Sequence, residues 1–314
     1  MDRLIEKIIN TQNPTCVGLD TRLEYIPAEF LDEIGEKGDT LASAARAIFE
    51  FNKRIIDAVA DVVPSVKIQI AYYEMYGPAG ITVFAKTAEY AAQNGLYVIS
   101  DIKRNDIGAT ADAYSTAYLG STPLSNDNKQ TAYISDSVTV NGYLGTDGIA
   151  PFVKNCAAND KTIFVLVKTS NPSSGELQDL ELANGKKVYE QMADMVEQWG
   201  SENIGKYGYS CVGAVVGATY PEQGKELRNR MKNTFFLIPG YGAQGGSADG
   251  LAGCFDANGL GGVVNASRSI LCAYKKDTYK GMSFDEAARA EAIRMKEDLA
   301  RAINSHSGKD KMGE

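Results

Sequence analysis

Short apolar runs alternate with longer segments of helical periodicity along most of the chain. Eight of the runs have strand length: 16–19, 66–70, 96–102, 137–140, 162–167, 211–216, 235–238 and 262–264. Between them lie amphipathic stretches such as 41–63, 80–93, 187–199 and 221–232. Strand followed by helix, repeated, is the pattern of a parallel sheet with helices packed on it. Eight such units in 314 residues fit a single α/β domain, a closed (β/α)8 TIM barrel, better than an open doubly wound sheet. The barrel domain is expected over residues 1–304. The stretch 119–135, rich in Gly, Ser, Pro, Asn and Asp, reads as an insertion before the fourth strand. Ser283-Phe284-Asp285-Glu286 has the form of a capping box, predicting a helix to about residue 303 and a disordered tail over 305–314.

Composition narrows the chemistry. The single histidine, His306, falls in that tail, which removes Ser-His-Asp and Cys-His triads, His-ligated zinc and histidine acid/base schemes. The five cysteines include no C-x-x-C pair, so neither a disulfide framework nor a zinc cage is indicated. The N-terminus Met1-Asp2-Arg3 is too charged for a signal peptide, and no run approaches the ~18 apolar residues of a membrane span. A reducing cytoplasm is the expected setting. A net charge of -8 gives no general grip on nucleic acid or anionic lipid, so an anionic substrate would need a local basic pocket.

In a barrel of this kind the site lies at the C-terminal strand ends, and several of those ends are polar. Strand one ends in Asp20, strand three in Asp101-Ile102-Lys103-Arg104-Asn105-Asp106, strand five in Lys168-Thr169-Ser170, and strand eight runs into Arg268. Strand two carries Lys67 within its apolar run. Period-two alternation puts Val66, Ile68 and Ile70 on the helix side, and Lys67 and Gln69 inside. By the same rule Asp101 and Lys103 share a face. Burying such charges costs several kcal/mol each unless they are paired. An inter-strand ion-pair network is one explanation; a reactive site is the other.

The loops after strands seven and eight favour a site. Pro239-Gly240-Tyr241-Gly242-Ala243-Gln244-Gly245-Gly246 lets backbone N–H groups approach a phosphate closely, and Arg268 at the helix start after strand eight adds a bidentate charge. The G-x-G-x-x-G spacing within this loop does not indicate a dinucleotide, because Leu260 stands where a ribose-binding acid is needed.

Asp101-x-Lys103-x-x-Asp106, Lys67 on the preceding strand and the P-G-x-G-A-Q-G-G loop together resemble the orotidine 5′-monophosphate decarboxylase family. The resemblance runs from Cys16-Val17-Gly18-Leu19-Asp20 to Arg268. It implies decarboxylation of orotidine 5′-monophosphate to uridine 5′-monophosphate, the last step of de novo pyrimidine nucleotide synthesis, without a cofactor or metal. It further implies a catalytic array of Lys67, Asp101, Lys103 and Asp106, with Lys103, kept as an ammonium by the two acids, as proton donor. Asp20 and Lys67 would hold ribose hydroxyls, Ser170 the pyrimidine edge, and Gln244 and Arg268 the phosphate. A homodimer is implied, in which Asp106 and Thr110 reach into the other subunit's site. The 119–135 insertion, the long segment after Ser170 and Asn171 before Pro172 resemble longer bacterial-type variants of the family.

Three alternatives stay open at this level. Metal-dependent sugar-phosphate decarboxylases and synthases share D-x-K-x-x-D, but a carboxylate is expected in place of Lys67. Val167-Lys168-Thr169-Ser170 is similar to the strand end of Schiff-base aldolases, with Lys168 as the amine, although no partner that would lower its pKa is evident. A non-catalytic nucleotide-binding protein is the third.

Overall fold

The computed structural model of the chain describes residues 1–242 and 245–307. All eight expected strands form, each end within two residues of its predicted place. They are β1 (Thr15–Gly18), β2 (Ser65–Gln69), β3 (Tyr97–Arg104), β4 (Ser137–Val140), β5 (Thr162–Lys168), β6 (Val212–Val216), β7 (Phe236–Pro239) and β8 (Gly262–Ala266). Every neighbouring pair is parallel, and β8 pairs with β1, so the sheet closes into a barrel. The predicted helices appear as Leu41–Val59, Gly77–Gln93, Val188–Gly200 and Pro221–Arg230. Residues 120–136 join the helix Gly108–Leu119 to β4 and carry a two-stranded antiparallel hairpin, Thr122–Pro123 with Lys129–Gln130. Tyr133 of this segment stacks on Tyr118 at 4.7 Å.

The alternation of faces along the strands sets where chemistry can occur. Val66, Ile68, Val98 and Ile102 pack outward into the core between sheet and helices. Inward-facing Cys16, Tyr97, Ile99, Phe164, Phe235 and Val263 fill the lower barrel beneath Leu4 and Ile5 of the helix Asp2–Thr11, which plugs the bottom. One inward position further up, β3 and β8 switch to Asp101 and Asn265, and the neighbouring strands β2 and β4 present Lys67 and Thr139 at the same end. The interior is thus apolar at one end and ionic at the other, and the ionic end opens into a cavity.

Ser283 and Glu286 make the expected reciprocal cap, Ser283 N–H to Glu286 Oε2 at 3.0 Å and Glu286 N–H to Ser283 Oγ at 3.4 Å. The helix they open spans Phe284–Ser307, four residues beyond the expected end. Burial of Leu299, Ala302 and Ile303 against the barrel carries the helical hydrogen bonding one further turn, so residues 305–307, His306 included, are helical rather than disordered. Residues 308–314 of the expected tail lie outside the described residues. All five cysteines are free and buried, and among the described residues no helix is long and apolar enough to cross a membrane.

Candidate active site

The C-terminal mouth of the barrel holds a cavity of about 1310 Å³. Its walls include Asp20, Lys67, Asp101, Lys103, Ser170 and Arg268, so residues spread over most of the sequence meet in one place. Leu166, Val215 and Leu237 supply an apolar floor.

At the centre is Asp101, 5% exposed, whose carboxylate accepts four hydrogen bonds. Lys67 Nζ at 2.7 Å and Gln69 Nε2 at 2.9 Å donate to Oδ2. Lys103 Nζ at 2.6 Å and Thr139 Oγ1 at 2.7 Å donate to Oδ1. Lys67 also donates to Asp20 Oδ1 at 3.2 Å, and Ser267 Oγ donates to Asp20 Oδ2 at 2.8 Å. Burial alone would raise the Asp101 carboxyl; the ammonium groups of Lys67 and Lys103 outweigh it and hold the group well below the ordinary carboxylate range. Burial likewise opposes the charge on Lys67, and Asp101 and Asp20 outweigh it, keeping the ammonium above its ordinary value. The two lysines differ in exposure, with side chains 5% and 44% accessible for Lys67 and Lys103 respectively. Lys67 is enclosed between carboxylates, whereas Lys103 presents its ammonium to the cavity.

Glycines let the walls approach. A Cβ on Gly18 would sit 1.9 Å from Ser267 Oγ, so the contact between Ser267 and Asp20 requires glycine at the end of β1. After β7, Gly240 and Gly242 have φ of 102° and 73°, a left-handed backbone that lets the loop turn across the cavity next to Arg268 and Ser269.

Two expected site residues do not line this cavity. Asp106 accepts from the N–H of Ile107 at 2.8 Å, and Thr110 is exposed on the helix Gly108–Leu119. Gln244 lies outside the described residues. Lys168 does have a partner: it donates to Asp179 Oδ1 at 2.9 Å and stands 4.8 Å from the Tyr220 ring centroid, buried away from the cavity. An amine tied into that ion pair and outside the cavity is not presented to a carbonyl substrate, which disfavours a Schiff base there. Among the described residues no group of three or more His, Cys, Asp and Glu side chains is placed to hold a metal. The space between Asp20 and Asp101 is taken by the Lys67 ammonium.

Thr139 and Ser267 were not singled out from the sequence. In Ser137-Val138-Thr139-Val140 the period-two rule that turned Lys67 inward also turns Thr139 inward, so that signal was present. Ser267 carries no comparable mark, because its partner Asp20 is remote in sequence.

Comparison with known proteins finds similarity along most of the chain. The model of the orotidine 5′-phosphate decarboxylase / HUMPS family matches residues 14–279. A Rhodopirellula baltica protein named orotidine 5′-phosphate decarboxylase is 47% identical over 296 residues, covering 93% of this chain and 96% of its own length. A Caldicellulosiruptor bescii protein of the same name is 44% identical over 304 residues, covering 96% and 98%. A crystal structure of a Toxoplasma gondii protein assigned as an orotidine-monophosphate decarboxylase superposes with a TM-score of 0.78 at 27% identity, covering 98% of this chain and 97% of that one.

The electrostatics give a pH test. The depressed Asp101 contributes stability above its unfolded pKa near 4 and loses it as pH falls further; the raised Lys67 contributes below its unfolded pKa near 10 and loses it as pH rises. Both contributions are therefore whole between about pH 4 and pH 10. Lys67→Met is expected to destabilise the fold by about 3–5 kcal/mol at pH 7, because it leaves Asp101 charged with the more buried of its two ammonium partners gone. The deficit should shrink as pH falls below about 4 and Asp101 takes up a proton. Urea denaturation at pH 7 and at low pH measures it; a pH-independent deficit would mean that packing, not charge, is lost.

Proposed function

The chain belongs to the orotidine 5′-phosphate decarboxylase family, a carboxy-lyase that converts orotidine 5′-monophosphate to uridine 5′-monophosphate and carbon dioxide, and we propose how its residues carry this reaction. The observation that bears most weight is that the Lys103 ammonium, backed by Asp101, opens on the same cavity as Arg268.

Breaking the bond from C6 to the carboxylate leaves an electron pair in an in-plane orbital on C6, with no adjacent electron sink. Barrier lowering of roughly 8–23 kcal/mol, the usual span for enzymes, exceeds what one hydrogen bond supplies, so a preorganised array of charges is required. Lys103 stabilises the developing carbanion and then transfers a proton from Nζ to C6, while carbon dioxide departs and solvent returns the proton to the amine. Asp101 accepts Lys103 Nζ at 2.6 Å and aims it. It also faces the substrate carboxylate, a repulsion relieved as carbon dioxide leaves.

Asp20 and Lys67 hold the ribose hydroxyls, Ser170 the pyrimidine edge, and Arg268 with Gln244 the phosphate. Binding at the phosphate, remote from the reacting bond, holds the ring against the charges. Asp106 and Thr110, outside their own cavity, fit a homodimer in which Asp106 of the partner subunit completes the array and Thr110 of the partner subunit reaches the ribose. Lys67 between two carboxylates favours this reading over a metal-dependent sugar-phosphate enzyme, in which an acid is expected at that position.

Purified protein with a chelator should turn over orotidine 5′-monophosphate, followed by ultraviolet absorbance, and Lys103→Ala should abolish turnover while still binding uridine 5′-monophosphate. Retained turnover would remove Lys103 from the proposed role. Arg268→Ala should lower kcat/KM on the nucleotide by about tenfold to a hundredfold, the equivalent of one charged hydrogen bond, and leave turnover of the nucleoside orotidine nearly unchanged. Equal losses on both substrates would contradict a phosphate contact. Mixing inactive Lys103→Ala and Asp106→Ala chains under exchange conditions should restore about a quarter of wild-type activity, since half the dimers are mixed and each has one intact site. No recovery would rule out a site shared between subunits.

A further inference from the structure

Pairing between β3 and β4 is irregular beside the charge array. Ser100 pairs with Val138, and the next registered pair is Arg104 with Val140, so residues 101–103 on β3 pass Thr139 alone on β4. A bulge of this kind removes backbone groups from the ladder and re-aims side chains. Lys103 lies within it at φ 46°, a left-handed conformation that L side chains rarely adopt.

Thr139 substitutes for the missing ladder. Its Oγ1 accepts the Lys103 N–H at 3.0 Å and donates to Asp101 Oδ1 at 2.7 Å. A hydroxyl carries one hydrogen, so with the amide donating into it, its proton is directed to the carboxylate. Asp101 Oδ1 in turn accepts Lys103 Nζ at 2.6 Å. The three bonds form a closed ring that grips Lys103 at both ends, its backbone amide through Thr139 and its ammonium through Asp101. Thr139 is 1% exposed, so water does not replace its hydroxyl.

We propose that Thr139 is a positioning residue for the reaction, its hydroxyl fixing the bulged backbone of Lys103 and the orientation of the Asp101 carboxylate together. The proposal rests on the assignment of Lys103 as proton donor. Proton delivery to carbon depends on placement at the ångström scale, whereas nucleotide binding uses other contacts, so loss of the ring acts on kcat and not on KM.

Thr139→Val keeps the side-chain shape and removes the hydroxyl; Thr139→Ser keeps the hydroxyl and removes a methyl. Thr139→Val is expected to lower kcat by about tenfold to a hundredfold, with KM and the Kd for uridine 5′-monophosphate within about threefold of wild type. Thr139→Ser should recover kcat to within about threefold of wild type by keeping both hydrogen bonds. Should Thr139→Val not yield folded protein, Thr139→Ala against Thr139→Ser makes the same comparison. Wild-type kcat in Thr139→Val, or an equal loss in Thr139→Ser, would overturn the proposal, since the hydroxyl would then be passive. Lys103→Ala, assayed alongside, separates the two levels. If it is inactive while Thr139→Val is unimpaired, the positioning role alone fails; if it is active, the Lys103 assignment fails and takes the positioning role with it.

Discussion

The upper half of the barrel is organised around one buried carboxylate. Asp101 is satisfied by donors from three adjacent strands, Lys67 and Gln69 of β2, Lys103 of its own strand, and Thr139 of β4. Without Lys67 and Lys103 the carboxylate would be driven to protonate; without Asp101 two ammonium groups would face each other in a confined space. Each charge is tolerable only because the others are present. Well-packed apolar residues in these positions would serve the fold equally well or better, so stability alone gives no reason for the array. Its presence at the end of the interior that opens into the cavity points to chemistry.

The two lysines show how placement divides a function between identical groups. Lys67 rises from a regular strand position and ends between Asp20 and Asp101 in the cavity wall, with 5% of its side chain accessible. Lys103 leaves a bulge, shares Asp101 and remains half exposed to the cavity. Under the proposed mechanism the first holds the charge distribution steady, and only the second is free to approach a carbon atom. Exchanging their roles would require moving the bulge from β3 to β2.

How much of this could be read in advance follows from the range of each interaction. The strands were legible because each is a buried run with helical periodicity on either side, and the inward direction of Lys67 because Val66 and Ile68 mark the opposite face. The bulge was not legible: Lys103 adopts a left-handed backbone with no glycine to announce it, and its cause is a hydroxyl 36 residues away. Lys168 looked unpartnered because Asp179 lies in the irregular segment after β5, where periodicity gives no direction. The last helix outran its predicted end because its final turn is held by tertiary packing, which local capping signals do not report. The positions of Asp106 and Thr110 outside their own cavity are accounted for only under the proposed homodimer, which no intrachain pattern encodes.

A remaining question is how a chain of net charge -8 attracts an anionic nucleotide. The answer lies in the separation of the acidic groups from the cavity mouth. Within the cavity, Asp101 and Asp20 are each matched by a direct donor, so their charge is largely cancelled at short range. Around the proposed phosphate site the cavity is lined by Arg268, Lys275, Lys276 and Arg294, opposed by Glu24 and by Glu291, the latter paired with Lys276 at 3.0 Å and Arg294 at 2.7 Å. The local excess is positive although the surface as a whole is acidic. Low-dielectric walls concentrate such a field at the mouth, while the acidic exterior discourages anions from settling elsewhere. Under the proposed mechanism a phosphate captured there brings its pyrimidine toward Lys103, so the same contact that selects the substrate also sets the distance over which the proton must move.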